Sequence, residues 1–412
     1  EDVSILKEPV QAGSLYIPNS LAVHPMEGCD SKGNGAPSEL TFRRYERFAA
    51  GGAGLIWTEA IAVVRQGRSN QRQLWLNEDN KDDFAALLLR MREKAEEIKA
   101  GHRPIIIAQL THSGRYSKPV PYPVSHNPYL EQATNKKQQN IITDEQLDKL
   151  QDCFVKTARL AYEVGFDAVD IKACHGYLIN ELLASHTREG KYGGSFENRA
   201  RFLLELIDKI RTQLGEDKPI ATRLSIYDGI AYPFGWAVDK NDCTKPDLTE
   251  PKKLIALLEK RGVKIINITA GYPRFDPHYG RPASQFEKPE IQTSPEHPLI
   301  GVARLITLAA EIQKQFPHIV IVGTGYSWLG TLFANVAAAS KKKGLATIIG
   351  AGRMALAYPD FARDIINKGQ LDPKRICITC GGCAKLLRAG KTTGCVLRDN
   401  KIYGSIYKQI IK

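Results

Sequence analysis

Short β-branched runs recur eight times along this chain, at residues 20–25, 55–60, 105–110, 168–173, 220–225, 265–270, 319–324 and 346–351. Each is followed by a loop and usually by a helical pattern. Eight strand–helix repeats without a composition break, linker or low-complexity stretch predict one α/β fold, a single (β/α)8 TIM barrel, rather than two doubly wound domains. The helices between the runs are legible. Thr143 with Gln146 forms a capping box, and Leu147, Leu150, Phe154, Ala158 and Ala161 step behind it by three and four. Phe202, Leu203, Leu206, Ile207, Ile210 and Leu214 draw a second apolar stripe. Pro359 is placed as the first residue of a helix that ends before Gly369. The barrel is expected over residues 1–365, and residues 366–412 form a short C-terminal cysteine-rich extension. The connection at 111–142 is long and Pro-rich, as lids and ligand-binding loops often are.

The 412 residues are 43% hydrophobic, enough for a large core. The net charge of +12 is spread out, and its tightest run is the lysines at 341–343. With no nucleic-acid motif and no aromatic–basic interleaving, a solubilising surface is the expected role and nucleic acid is not an expected partner. No apolar run reaches the roughly 18 residues of a membrane helix. No signal peptide is visible, although Glu1 in place of Met leaves the true start open. A cytoplasmic location is expected, and the oligomeric state is left open.

Four of the eight cysteines fall in "CITCGGCAKLLRAGKTTGC", spaced C-x2-C-x2-C-x11-C. Cys377, Cys380, Cys383 and Cys395 suit a soft metal centre, either a structural zinc or an iron–sulfur cluster. Cys29, Cys153, Cys174 and Cys243 are scattered and form no disulfide framework, which fits a reducing compartment. Gly381 and Gly382 let the backbone curl closely around a bound group.

In such a barrel the active site lies where the strands end, and those ends are polar: Glu59, Gln109, Lys172, Arg223 and Thr269. Strand alternation turns Asp170 and Lys172 inward. An inward lysine needs either an internal partner, Asp170 or Glu59, or a ligand. The repetition of polar strand ends favours the ligand. "GTGYS" and "GAGR" follow the last two strands. Glycine loops there often receive a phosphate, and Arg353 would add a bidentate contact.

The stretch "GFDAVDIKACHGYLINELLASHTREGKYGGSFENRARFLLELI" (165–207), with "HPMEG", "QLTHSGR", "TRLS" and "GAGR" in order, resembles the Old Yellow Enzyme family of FMN-dependent ene-reductases. The cysteine extension resembles the branch that contains 2,4-dienoyl-CoA reductase and trimethylamine dehydrogenase, which places a [4Fe–4S] cluster on these thiols. The resemblance implies that Pro25, Met26 and Ala60 offer backbone groups to FMN. By the same resemblance Gln109 meets the pyrimidine edge, Arg223 lies near N1 and O2, and Gly323, Gly325, Gly352 and Arg353 hold the phosphate. It also implies that Lys172 and His175 grip a substrate carbonyl oxygen while Tyr177 delivers a proton. The implied reaction is reduction of an activated C=C bond in an enone, dienone or steroid-like enone, with NADH or NADPH as reductant.

Three positions depart from the family pattern. Lys172 stands where a histidine is usual, and Glu27 stands where Thr or Cys tunes the flavin. The chain also ends seventeen residues after Cys395, without the large flavin and nicotinamide domains of that branch. Electrons are therefore expected directly from NAD(P)H or from an external electron-donor protein through the cluster. Two rivals are an amine oxidation of the trimethylamine dehydrogenase type and a flavin/iron–sulfur electron carrier with no organic substrate of its own. Glu27 at the flavin-attachment position and the charge of Lys172 weigh against the first. His175 and Tyr177 weigh against the second.

Overall fold

A computed structural model describes residues 2–134, 141–282 and 296–411. Part of the long Pro-rich connection, 135–140, lies outside the described residues. An antiparallel hairpin, β1 (Val10–Ala12) and β2 (Leu15–Ile17), opens the chain. Eight parallel strands follow: β3 (Leu21–Val23), β4 (Leu55–Ala62), β5 (Ile105–Thr111), β6 (Ala168–Ile171), β7 (Ile220–Ser225), β8 (Ile265–Thr269), β9 (Val320–Gly323) and β10 (Ile348–Ala351). They pair in chain order, and β10 returns to β3, so the sheet closes on itself with no edge. All eight expected runs are barrel strands.

Inward residues of the lower half are apolar: Leu55, Trp57, Ile105, Ile107, Ile265 and Val322 share one cluster. Val10, Ala12, Leu15 and Ile17 of the hairpin belong to the same cluster, so the hairpin plugs the N-terminal end of the barrel. Period-2 alternation around the Gly13–Ser14 turn is its sequence signal, and Gly13 takes φ +60 there.

The capping box forms as read: Thr143 Oγ1 accepts from the Gln146 N–H, and Gln146 Oε1 accepts from the Thr143 N–H. Its helix, Asp144–Glu163, buries the expected apolar stripe against the barrel wall. The helix expected from Pro359 instead spans Phe361–Lys368, after Asp360. Pro359 stays in the preceding turn, with its carbonyl where a side chain at Gly51 would sit. Gly369 ends the helix in the left-handed region at φ +72. This helix crosses residue 365, the boundary expected between barrel and extension.

One strand departs from simple alternation. Between Trp57 and Ala60 the β4–β5 register shifts by one residue. The bulge keeps Trp57 inward, where its Nε1 donates to Asp170 at 2.7 Å, and turns Glu59 outward. There Glu59 accepts from Arg44 at 2.7 Å and from the Gly28 N–H at 2.7 Å. Glu59 is therefore neither a mouth residue nor the partner of Lys172.

The cysteine extension docks on the outer wall beside the loop after β3. The Thr393 N–H donates to the Gly28 carbonyl at 2.7 Å, and Arg44 donates to the Thr393 carbonyl at 3.2 Å. Asp399 accepts from both Arg43 and Arg47 at 2.7 Å. Leu386, Val396 and Tyr403 give the extension a small core of its own. Among the described residues no helix is long and apolar enough to cross a membrane.

Candidate functional site

The mouth of the barrel is organised around Asp170 on β6. Its carboxylate accepts from Trp57 Nε1, Gln109 Nε2 and the Arg223 backbone N–H, each at 2.7 Å. Burial still raises its pKa to about 6, against the pull of those donors. The carboxylate fixes the amide of Gln109 and the strand that carries Arg223.

Arg223 is 7% exposed. Its Nη1 lies 3.4 Å from the Pro25 carbonyl, and its Nε has no hydrogen-bond partner. No carboxylate lies within ion-pair distance of it among the described residues. Burial lowers its pKa, but a guanidinium stays charged. Asp170 acts on it only from beyond ion-pair distance, and a buried cation without a direct ion pair fits an anionic group bound beside it.

Lys172 stands above Asp170 and turns the other way from Glu59. Its Nζ lies 3.8 Å from Glu27 and 3.6 Å from the centre of the Tyr177 ring. Burial pulls the ammonium down, yet the acidic groups facing it, Tyr177, Glu27 and Cys174, outweigh burial and raise its pKa. Burial raises Glu27, and Lys172, Arg44 and Arg274 oppose that rise. Tyr177 is likewise raised by burial and opposed by Lys172. It is a protonated phenol at neutral pH.

His175 takes φ +61, a left-handed conformation that is costly for a residue with a Cβ. It is held there by its N–H donating to Ser225 Oγ at 3.1 Å and by the Gly176 N–H donating to Asn180 Oδ1 at 2.6 Å. Its Nε2 is 3.0 Å from Thr269 Oγ1. Burial, then Arg223, Lys172 and His24, push its pKa well below the usual histidine value, so the imidazole is neutral. Lys172, His175 and Tyr177 thus share one mouth with Arg223.

The other expected flavin contacts are distributed around them. Ala60 is buried on β4, and its carbonyl accepts from Gln73 at 3.2 Å. Met26 and Gly352 approach each other: a Cβ on Gly352 would lie 3.1 Å from Met26 Sδ. Gly325 takes φ +101 after β9. Gly323 is tightly packed, its Cβ position 3.1 Å from Ala346. Arg353 opens the helix Arg353–Ala357, and its charge opposes the rise that burial imposes on the thiols of Cys377 and Cys383.

Cys377, Cys380, Cys383 and Cys395 are free thiols, each partly buried; burial raises Cys377 and Cys395, and neighbouring cysteines add to the rise. Burial pushes Cys383 up to about 12. Backbone N–H groups aim at two of the sulfurs: Thr379 at Cys377 Sγ, 3.4 Å, and Arg398 at Cys395 Sγ, 3.3 Å. Such N–H···S contacts suit thiolates that bind a metal. Among the described residues no three thiol, imidazole or carboxylate groups lie close enough together to grip a single ion.

Sequence reasoning missed two features. Glu27 as the partner of Lys172 lies in a loop, where alternation says nothing. The rim also carries Tyr116, Tyr272 and Arg274. Tyr116 stacks edge-on with Tyr177 and Tyr272 at 6.3 and 6.1 Å, and Arg274 sits 4.1 Å over Tyr116. The aromatic spacing within "GYPRF" (271–275) was an available signal for that rim.

A closed α/β barrel with polar strand ends and a buried arginine without a direct ion pair has the architecture of a barrel that binds its ligand at the strand ends. A family model described as the NADH:flavin oxidoreductase / NADH oxidase family matches residues 6–325, and the chain belongs to that family. An NADH oxidase from Thermoanaerobacter brockii is 28% identical over 381 residues, which cover 90% of this chain and 52% of that one. An NADPH dehydrogenase from Geobacillus sp. (strain WCH70) is 32% identical over 274 residues, 65% of this chain and 73% of the relative. A solved 2-naphthoyl-CoA reductase, in complex with 2-naphthoyl-CoA, superposes with a TM-score of 0.76 at 19% identity, covering 98% of this chain and 58% of that one. This last likeness is one of fold. The chain spans about half the length of the NADH oxidase.

Proposed function

We propose that this chain reduces C=C bonds conjugated to a carbonyl, in an enone, dienone or steroid-like enone, with FMN in the barrel mouth and NADH or NADPH as reductant. One observation carries the reading. Lys172, His175 and Tyr177 meet beside Arg223, a buried cation that makes no direct ion pair among the described residues.

Arg223 fits an anionic edge of FMN, and Gln109, held by Asp170, would meet its pyrimidine edge. Pro25, Met26 and Ala60 would support the ring, and Gly323, Gly325, Gly352 and Arg353 would hold the phosphate. When bound, FMN supplies hydride chemistry and draws its electrons from a nicotinamide. Lys172 and neutral His175 would donate hydrogen bonds to the substrate carbonyl oxygen, where negative charge develops. Tyr177, kept protonated by burial, would deliver the proton to Cα. The ammonium of Lys172 repels a cationic amine, which disfavours amine oxidation.

Anaerobic rapid mixing tests this. NADH or NADPH should bleach the flavin, and an enone should restore its colour. Bleaching without restoration by any conjugated carbonyl contradicts the reading and favours an electron carrier. Release of FAD, or of no flavin, on denaturation contradicts the cofactor assignment.

For the extension, we propose that Cys377, Cys380, Cys383 and Cys395 bind a [4Fe–4S] cluster, with zinc as the alternative. The N–H···S contacts support bound thiolates. A bound cluster passes single electrons. Residues 366–412 hold ten Lys and Arg against two Asp, a surface charge suited to an acidic electron-donor protein. Anaerobic iron and acid-labile sulfide analysis should give about four of each per chain. One zinc and no sulfide contradicts the cluster.

A further inference from the structure

We infer that Glu27 is a positioning residue, the counter-charge that keeps the Lys172 ammonium loaded and parked over Tyr177 for an incoming carbonyl oxygen. The inference rests on the ene-reduction reading for its purpose, but its physical content is the Glu27–Lys172 pair alone.

Lys172 is 5% exposed, and a buried ammonium sheds its proton unless an anion faces it. The groups around it are few. Arg223 adds repulsion from β7, and Arg44 from the outer wall and Arg274 from the rim act on Glu27. His175 is neutral. Burial holds Tyr177 protonated and pushes the Cys174 thiol up to about 11. Glu27 is the one carboxylate within ion-pair distance of Lys172 among the described residues.

The pairing is also loose. At 3.8 Å the contact is an ion pair without a hydrogen bond, and neither Glu27 oxygen has a hydrogen-bond partner. A tight salt bridge would occupy the ammonium's N–H groups and would have to break before substrate could bind. The observed spacing supplies the charge and leaves the donors to the ligand. The Tyr177 ring, 3.6 Å away, fixes the lateral position of Nζ through its negative face.

Glu27→Gln removes the charge at nearly constant shape. The alkaline limb of the pH profile for enone-driven flavin reoxidation should move down by about one pH unit or more. Glu27→Asp, which keeps the charge, should restore most of it. The second readout needs no turnover. NMR titration of isotope-labelled lysine side-chain nitrogens in the purified protein, with the Lys172 signal assigned through Lys172→Arg, should show the same downward shift. Flavin content and melting temperature confirm that each variant is folded. If Glu27→Gln does not fold, the Glu27→Asp titration stands in, with a smaller downward shift expected. An unmoved Lys172 titration overturns the inference, as does a changed flavin potential with that titration unmoved. A shifted titration in a protein that reduces no enone supports the pair and refutes only the substrate reading.

Discussion

Asp170 and Glu27 are both carboxylates buried at the top of the barrel, yet Asp170 accepts three hydrogen bonds and Glu27 accepts none. The arginines divide in the same way. Arg44, on the outer wall, is buried between Asp30 and Glu59 and also reaches the Thr393 carbonyl. Arg223, in the mouth, has one long contact to a carbonyl. Burying a charge costs several kcal/mol unless partners compensate. The scaffold compensates its charges internally. The mouth leaves Arg223 without a direct ion pair and Glu27 without a hydrogen bond, and that contrast marks the site.

The contrast can be broken by making the same substitution in both places. Arg44→Met strands two buried carboxylates and should cost about 3–5 kcal/mol in denaturant unfolding. Arg223→Met strands none, so the flavin-free protein should keep its stability within about 1 kcal/mol while FMN binding is lost. Equal stability losses would erase the distinction between wall and mouth.

A pH dependence sharpens it. Asp228 is fully buried, with only neutral donors from Asn180 and Trp236, and burial raises its pKa to about 7. Between about pH 4 and 7 the folded protein holds a proton that the unfolded chain releases, so this group's contribution to stability falls as pH rises. Asp170 adds to the fall up to about pH 6. Asp228→Asn should flatten the decline by up to about 4 kcal/mol. A melting-temperature profile as steep as wild type would show that Asp228 carries no such linkage.

The smallest effect is expected at the extension's clamp. Arg43 and Arg47 are about a third exposed, so water screens their pairs with Asp399. Asp399→Ala should cost about 1 kcal/mol or less in global stability. Its readout is faster proteolytic cleavage beyond Lys391. Unchanged cleavage would mean that the remaining contacts, among them Thr393–Gly28, Arg44–Thr393, Thr392–Cys29 and Asn70–Gly390, hold the extension without the clamp.

The barrel was legible because its signals are local and repeated: apolar strands, a capping box at Thr143 and Gln146, and helix stripes that all face the wall. Glu59 was misplaced because a one-residue bulge depends on how β4 pairs with β5, which no single strand encodes. Glu27 was legible as a departure from the family pattern but not as the partner of Lys172. That pairing joins a loop after β3 to the end of β6 through space. The hairpin at Val10–Ile17 was readable in principle, being two alternating triplets around a glycine turn. The helix at Phe361–Lys368 shows the usual limit at helix starts, where proline marks the neighbourhood rather than the first turn.

The central claim is that the mouth acts on a substrate carbonyl and not merely on the flavin. The direct measurement is to split turnover of His175→Ala into its two halves by anaerobic rapid mixing. Loss of a donor to the developing oxyanion should slow reoxidation of the reduced flavin by an enone about 10²–10³-fold. Flavin reduction by NADH or NADPH should fall far less. An enone half-reaction as fast as wild type, or equal losses in both halves, would contradict the account.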